Sequence, residues 1–196
     1  MTSQHTSGPG AGTLARGPVT DPARLAAAAG ALGWPGMTLP AQRLLGTRVV
    51  PVVTVDAAAH DRRRRDGSAG PMLDVDTLAV WEWPQAAGTC PPSVVRLRGV
   101  LVPAGRSWAA AAATARRWAG FAAAAIVLPT DEASRLCRLE CGYAGIAIAA
   151  ASPERGVRLI QPGRPGRSDR ARRRTLDRWL EEQLYGRLLS AGVLVS

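Results

Sequence analysis

The sequence predicts an α/β domain: a mixed sheet with helices on both faces, a three-layer arrangement with an αβββαβ core. Three observations predict it. Short β-branched runs at 47–55 and 93–102 alternate with alanine-rich stretches of helical length, above all 107–121. Between them the apolar period changes from two to about 3.6, as it does where a strand feeds a helix. A chain of 196 residues, 46% of them hydrophobic, is long enough for one well-filled core.

The elements follow in order. Residues 1–20, with Gly, Pro and Ser at their centre, lack periodicity and read as a flexible tail. Asp21 and Pro22 suit the N-cap and first position of a helix reaching about Leu32, with Leu25, Ala29 and Leu32 on one face; Gly33-Trp-Pro-Gly36 stops it. Residues 39–46 are ambiguous, with one short turn as the reading they suit. The run 47–55 is the first strand, and Pro51 inside it predicts an edge or a bulge. Residues 60–71 read as a loop carrying Arg62, Arg63, Arg64 and Arg65. Residues 74–83 read as the second strand, closed by Pro84 and antiparallel to a third strand at 93–102. On that third strand Arg96 and Arg98 share one face, and Val95 and Leu97 the other.

Ser107 caps the alanine helix, which covers one face of the sheet and leads to a strand at 125–128 that is parallel to its neighbour. A short helix from Thr130 or Asp131 runs through Cys141 and stops at Gly142. Strands at 145–149 and 157–160 flank a turn at 152–156, and 161–167 is a Pro/Gly/Arg linker. The domain therefore spans 21–161. Ser168 and Asp169 cap a last helix, 168–192, packed on or beside it, with Leu176, Leu180, Leu184 and Leu188 as its stripe and Trp179 beside them.

Composition narrows the chemistry. The chain has no lysine and no asparagine, so all 25 basic residues are arginine and the formal charge is +10. Part of that richness reflects a GC-rich coding sequence, but the charge is real and favours a polyanionic partner. Without lysine there is no Schiff base, no P-loop lysine and no lysine base. Three cysteines do not make a disulfide framework, and Cys90, Cys137, Cys141 and His60 lack zinc-site spacing; Cys137 and Cys141 read as buried apolar side chains. No signal pattern opens the sequence, and the longest uncharged apolar run is shorter than the roughly 20 residues a bilayer requires. A cytoplasmic protein with no membrane partner is expected.

Several pieces of the text resemble divergent members of the PD-(D/E)XK nuclease superfamily, the restriction-endonuclease-like fold. They are Ser107-Trp108, Trp118-Ala-Gly-Phe121, Ile126-Val-Leu-Pro129 and Tyr143-Ala-Gly-Ile146, together with the αβββαβ order over roughly 20–160. The resemblance implies an acid near the second strand, for which Asp74 or Asp76 stands, and Glu-x-Lys on the third. Here that position reads Arg96-Leu-Arg98, so the catalytic pair is missing. Glu82 lies about 20 Å along a strand from Asp76, too far to share one metal. Asp56 is nearer, but two arginines beside it disfavour a cation.

The leading expectation is a nucleic-acid-binding protein, DNA before RNA, with a degenerate and inactive nuclease-like domain and neither metal nor cofactor. Arg96 and Arg98 would neutralise phosphates in place of the metal. Arg62–Arg65 and Arg170, Arg172, Arg173 and Arg174 would add contacts, the latter group where a helix N-terminus already favours anions. That expectation requires the three groups to converge on one surface. Two alternatives stand beside it: a magnesium-dependent endonuclease with a displaced acid, and a protein-interaction scaffold. A homodimer is compatible with any of the three. Trp81 and Trp83 are expected in packing, with base stacking as the other use.

Overall fold

The computed structural model describes residues 18–81, 83, 90–166 and 174–195. Among them seven strands form one mixed sheet: β1 (Met37–Thr38), β2 (Gln42–Leu44), β3 (Thr47–Val55), β4 (Val95–Pro103), β5 (Ala123–Leu128), β6 (Ala147–Ser152) and β7 (Gly156–Gln161). Their order is β1-β3-β4-β5-β6-β7, with β2 also paired to β3. The centre, β4-β5-β6, is parallel, and β3 and β7 flank it antiparallel. Six helices accompany the sheet: α1 (Pro22–Ala31), α2 (Ala57–Arg65), α3 (Val75–Val80), α4 (Trp108–Arg116), α5 (Arg135–Ala144) and α6 (Thr175–Ser190). The α/β class and the mixed sheet are as the sequence predicts, as is the parallel crossover through α4.

Parallel strands covered on both faces read as unbroken apolar runs. Every residue of Ala-Ala-Ala-Ile-Val-Leu in β5 and of β6 is buried. On one face Val95, Leu97, Val100, Ile126 and Ile148 meet α4, α5 and α6. On the other, Val50, Val52, Leu101, Val127 and Ala149 meet α1. Val19, expected in the tail, belongs to this second core.

Four expectations are corrected. Residues 74–83 contain helix α3 instead of a strand: Asp74 Oδ2 accepts from the Thr77 N–H at 2.9 Å, and only Leu78 of the helix is buried. A cap signal thus prevails over a short alternation, since the exposed Val75 and Val80 have no sheet face to occupy. The antiparallel neighbour of β4 is therefore β3, with Thr54 opposite Arg96. The predicted loop 60–71 is helical as far as Arg65, because Asp56 Oδ1 accepts from the Ala59 N–H at 2.9 Å and caps α2. The short helix begins after Ser134, and its stop is Gly145 at φ 71° instead of Gly142. Pro51 itself pairs in register with Val100; the irregularity lies on the partner strand, where Arg98 is the extra residue opposite the Val52–Val53 step, and β3 is internal, so neither the edge nor a bulge at Pro51 applies.

Helix α6 is part of the core. Leu180, Leu184, Tyr185 and Leu188 are buried, while Leu176 from the expected stripe is 39% exposed. Two buried carboxylates fix it. Glu182 accepts from Arg63 Nη1 at 2.8 and 3.0 Å, from Arg178 Nε at 3.0 Å and from the Met72 N–H at 2.9 Å. Glu181 accepts from Ser93 Oγ at 3.1 Å and from the Leu97 N–H at 3.3 Å. Beside them His60 Nδ1 lies 3.0 Å from the Tyr185 hydroxyl, and Nε2, facing a carbonyl, donates to Val195 O at 2.9 Å.

Candidate functional site

The alternation of β4 decides where its arginines stand. Val95 and Leu97 point into the α6-side core, so Arg96 and Arg98 point to the α1 side, Arg96 exposed and Arg98 half-buried. Arg98 Nε donates to Thr54 Oγ1 at 3.1 Å, which fixes its guanidinium over β3. Past the bulge, Gly99 lies under the Trp34 ring; a Cβ there would sit 2.4 Å from the indole. The turn that ends α1 thus lays an aromatic plate beside Arg98.

The other wall is the stretch read as a linker. Pro162-Gly-Arg-Pro-Gly166 crosses the starting ends of β5 and β6 at backbone contact. A Cβ on Gly163 would lie 2.6 Å from Ala147 N, and one on Gly166 2.4 Å from Ala123 N. The Arg164 N–H donates to Gly145 O at 2.8 Å. Between these walls lies a cavity of about 340 Å³ lined by Trp34, Arg98, Ala124, Ala147, Leu159 and Arg164 among others. Both charged residues that line it are arginines, and among the described residues none that lines it is acidic. Two guanidinium groups thus line this space, and its indole offers a face to a planar or apolar group.

The other predicted residues lie elsewhere. Arg62, Arg64 and Arg65 are exposed in the last turn of α2, where they complement the helix dipole. Arg63 is 1% exposed and ion-paired to Glu182, so it makes no phosphate contact. Helix α2 packs on the α6 side, through Ala59, His60 and Arg63, and therefore faces away from Arg96 and Arg98. Arg174 precedes α6 on that same side, its N–H donating to Asp177 Oδ2 at 3.1 Å. Arg170, Arg172 and Arg173 lie outside the described residues, as does Glu82. Arg62–Arg65 do not converge with the strand pair: Arg96 and Arg98 stand on one layer, and the described α2 and α6 arginines on the other.

The acids are likewise apart from the strand arginines. Asp74 and Asp76 belong to α3, which packs against α6. The hydroxyl and N–H of Thr77 hold the Asp74 carboxyl below its usual range, hydroxyl first. The Asp56 carboxylate is occupied as the cap of α2. Among the described residues no group of three or more His, Cys, Asp or Glu side chains gathers as metal ligands. Cys137 and Cys141 are buried, as their spacing suggests, and their mutual hydrogen bond together with burial pushes the Cys137 thiol up. Trp81 lies under the Arg178 guanidinium, 5.4 Å from its ring centre, and Trp83 is 66% exposed.

Sequence reasoning missed Arg164 and the role of Trp34. The usable signal was the Gly163-Arg-Pro-Gly166 spacing, in which two glycines bracket an arginine and permit close backbone approach. Comparison with protein-family models, with curated proteins and with solved structures finds no match. Among the described residues no helix is long and apolar enough to cross a membrane.

Proposed function

We propose that this chain binds the phosphate backbone of nucleic acid, DNA before RNA, without cutting it. The binding surface in this reading is no longer a convergence of three arginine groups but the α1-side layer alone, which carries Arg96, Arg98 and Arg164. The observation that carries the reading is the cavity between Trp34 and the 162–166 strap, which Arg98 and Arg164 line together with the indole of Trp34. A net charge of +10 adds attraction at longer range. Strands β2, β3 and β4 are antiparallel neighbours, with α2 and α3 between β3 and β4, and α4 leads on to the parallel β5; a restriction-endonuclease-like reading takes α2 and α3 as insertions in its core. In that reading Arg96 and Arg98 hold the place of the absent Glu and Lys. The metal-dependent alternative draws on Asp74 and Asp76, which stand on the layer away from these arginines.

Titration of a fluorescent duplex at several salt concentrations tests the reading. The expected affinity is about micromolar, with little sequence preference. Replacing Arg96 and Arg98 together by Ala lowers the log–log salt slope by about 2, one per lost phosphate contact. Replacing Arg62, Arg64 and Arg65 leaves that slope nearly as it was. Equal losses in the two variants mean that total charge binds, not this surface, and the reading then falls.

One observation favours a second reading. Leu136, Leu139 and Tyr143 on α5 are 50, 61 and 90% exposed and follow helical spacing, which makes an apolar stripe on the solvent side. A protein-interaction role, self-association included, would use it. Light scattering of the chain and of Leu139→Glu separates the two: only an interface loses mass on that substitution.

A further inference from the structure

A larger cleft opens at the other end of the sheet, and no part of the nucleic-acid reading uses it. It measures about 910 Å³ and lies where the end of β4 turns into α4, opposite the start of β3. We infer that this cleft binds an amphipathic anion: one apolar chain or compact apolar body ending in a single acidic group.

Three features of the lining lead there. The walls are aliphatic, with Leu25, Leu39, Val49, Val102 and Ala111 among them, and among the described residues no aromatic side chain lines the cleft. It therefore has nothing on which to stack a base, which separates its occupant from nucleic acid. Prolines 18, 22, 40 and 103 are among the lining residues, and their fixed φ limits how the wall can rearrange. The size is within the usual range for small-ligand sites, roughly 300–1,000 Å³.

The charged residues set the polarity of the ligand. Arg48 and Arg106 are the charged side chains of the lining, and among the described residues no acid lines it. Arg43 stands directly opposite Arg48 in the β2–β3 ladder, and both are exposed. Like charges facing each other across antiparallel strands repel and weaken the pairing. An acidic group held at the rim reverses that repulsion, and the guanidinium fork suits carboxylate or phosphate. The apolar remainder of the ligand then lies along Leu25, Val49 and Val102.

Calorimetric titration of the full chain with dodecanoate, dodecyl phosphate and dodecanol, all below their micelle concentrations, tests the site. Both anions are expected to bind one per chain, and dodecanol at least about tenfold more weakly. Arg48→Gln with Arg106→Gln lowers anion affinity about tenfold or more and leaves dodecanol unchanged. The charge-matched pair Arg62→Gln with Arg64→Gln leaves the anions unchanged. Ala110→Trp, which adds bulk on an exposed lining position, blocks all three, while duplex binding serves as its folding control. Equal affinity for dodecanol and dodecanoate overturns the inference, and so does absence of binding. It also falls if the two charge-matched variants lose the same affinity.

Discussion

Arg63 sits between Glu182 and the carbonyls of Ser68 and Gly70, which its Nε and Nη2 reach at 3.0 and 2.6 Å. Its neighbours Arg62 and Arg64 are exposed, so one helical step separates a buried structural cation from solvated ones. In the sequence the four arginines look alike. Phase tells them apart once 57–65 is a helix, because Ala59, His60 and Arg63 fall on one face at i, i+3 and i+4 spacing. Reading 60–71 as a loop concealed that phase. Replacing Glu182 by Gln removes the charge that Arg63, Arg178 and Met72 share. Loss of one partner from a buried pair costs about 3–5 kcal/mol, so the urea midpoint should fall steeply. Replacing Arg62 by Gln should leave it almost unchanged.

At the level of elements, the α4 crossover to a parallel β5 was legible because a capped alanine helix between two apolar strands leaves few other arrangements; the parallel pairing of β6 with β5 was not read. Helix α3 was not. Six residues offer barely two turns, and alternation over so short a span does not distinguish strand from helix without the cap. The strap at 162–166 was legible as Pro/Gly-rich but not as a wall, since nothing local says that its glycines touch Ala147 and Ala123. Gly166→Ala forces a Cβ against backbone that has no rotamer to change. The expected cost is about 1–3 kcal/mol, with loosening of the Arg98–Arg164 cavity. Gly120→Ala, where no atom lies within 4 Å, is the matched control and should be neutral or slightly stabilising. Comparable melting of the two variants would contradict the packing of the strap.

Across the whole molecule, the lack of lysine simplifies alkaline behaviour. Apart from arginine, two tyrosines and three cysteines are the side chains whose ordinary ionisation falls in the alkaline range. Burial, ahead of any charge, pushes the Tyr185 phenol above its ordinary value of 10.0. A folded value raised above the unfolded one stabilises fully below pH 10 and loses that contribution as pH rises through the folded value. Tyr185→Phe removes a hydroxyl that meets His60 at 3.0 Å and Ala69 O at 2.5 Å, an expected loss of about 1–3 kcal/mol at pH 8. Above pH 10 the gap between parent and variant should narrow. Denaturation curves at pH 8, 9, 10 and 11 measure it, and a gap that widens would reverse the assignment. At this scale composition foretold the charge but not its division between two layers. That division follows from helices α2 and α6 sharing one side of the sheet while β4 turns its arginines to the other.

The hydrogen bond from the Leu97 N–H to Glu181 joins residues 84 positions apart. A ribosome adding about 5–20 residues per second needs roughly 4–17 s to make that stretch. During this interval Val95 and Leu97 have been synthesised, and the helix that covers them has not. The nascent chain thus carries a strand face that α4 can reach but that still lacks its α6 cover, through a window long enough for chaperone capture or for pairing with another chain. The covering helix arrives with both glutamates that hold it in place, so closure of this face during synthesis is a single late step.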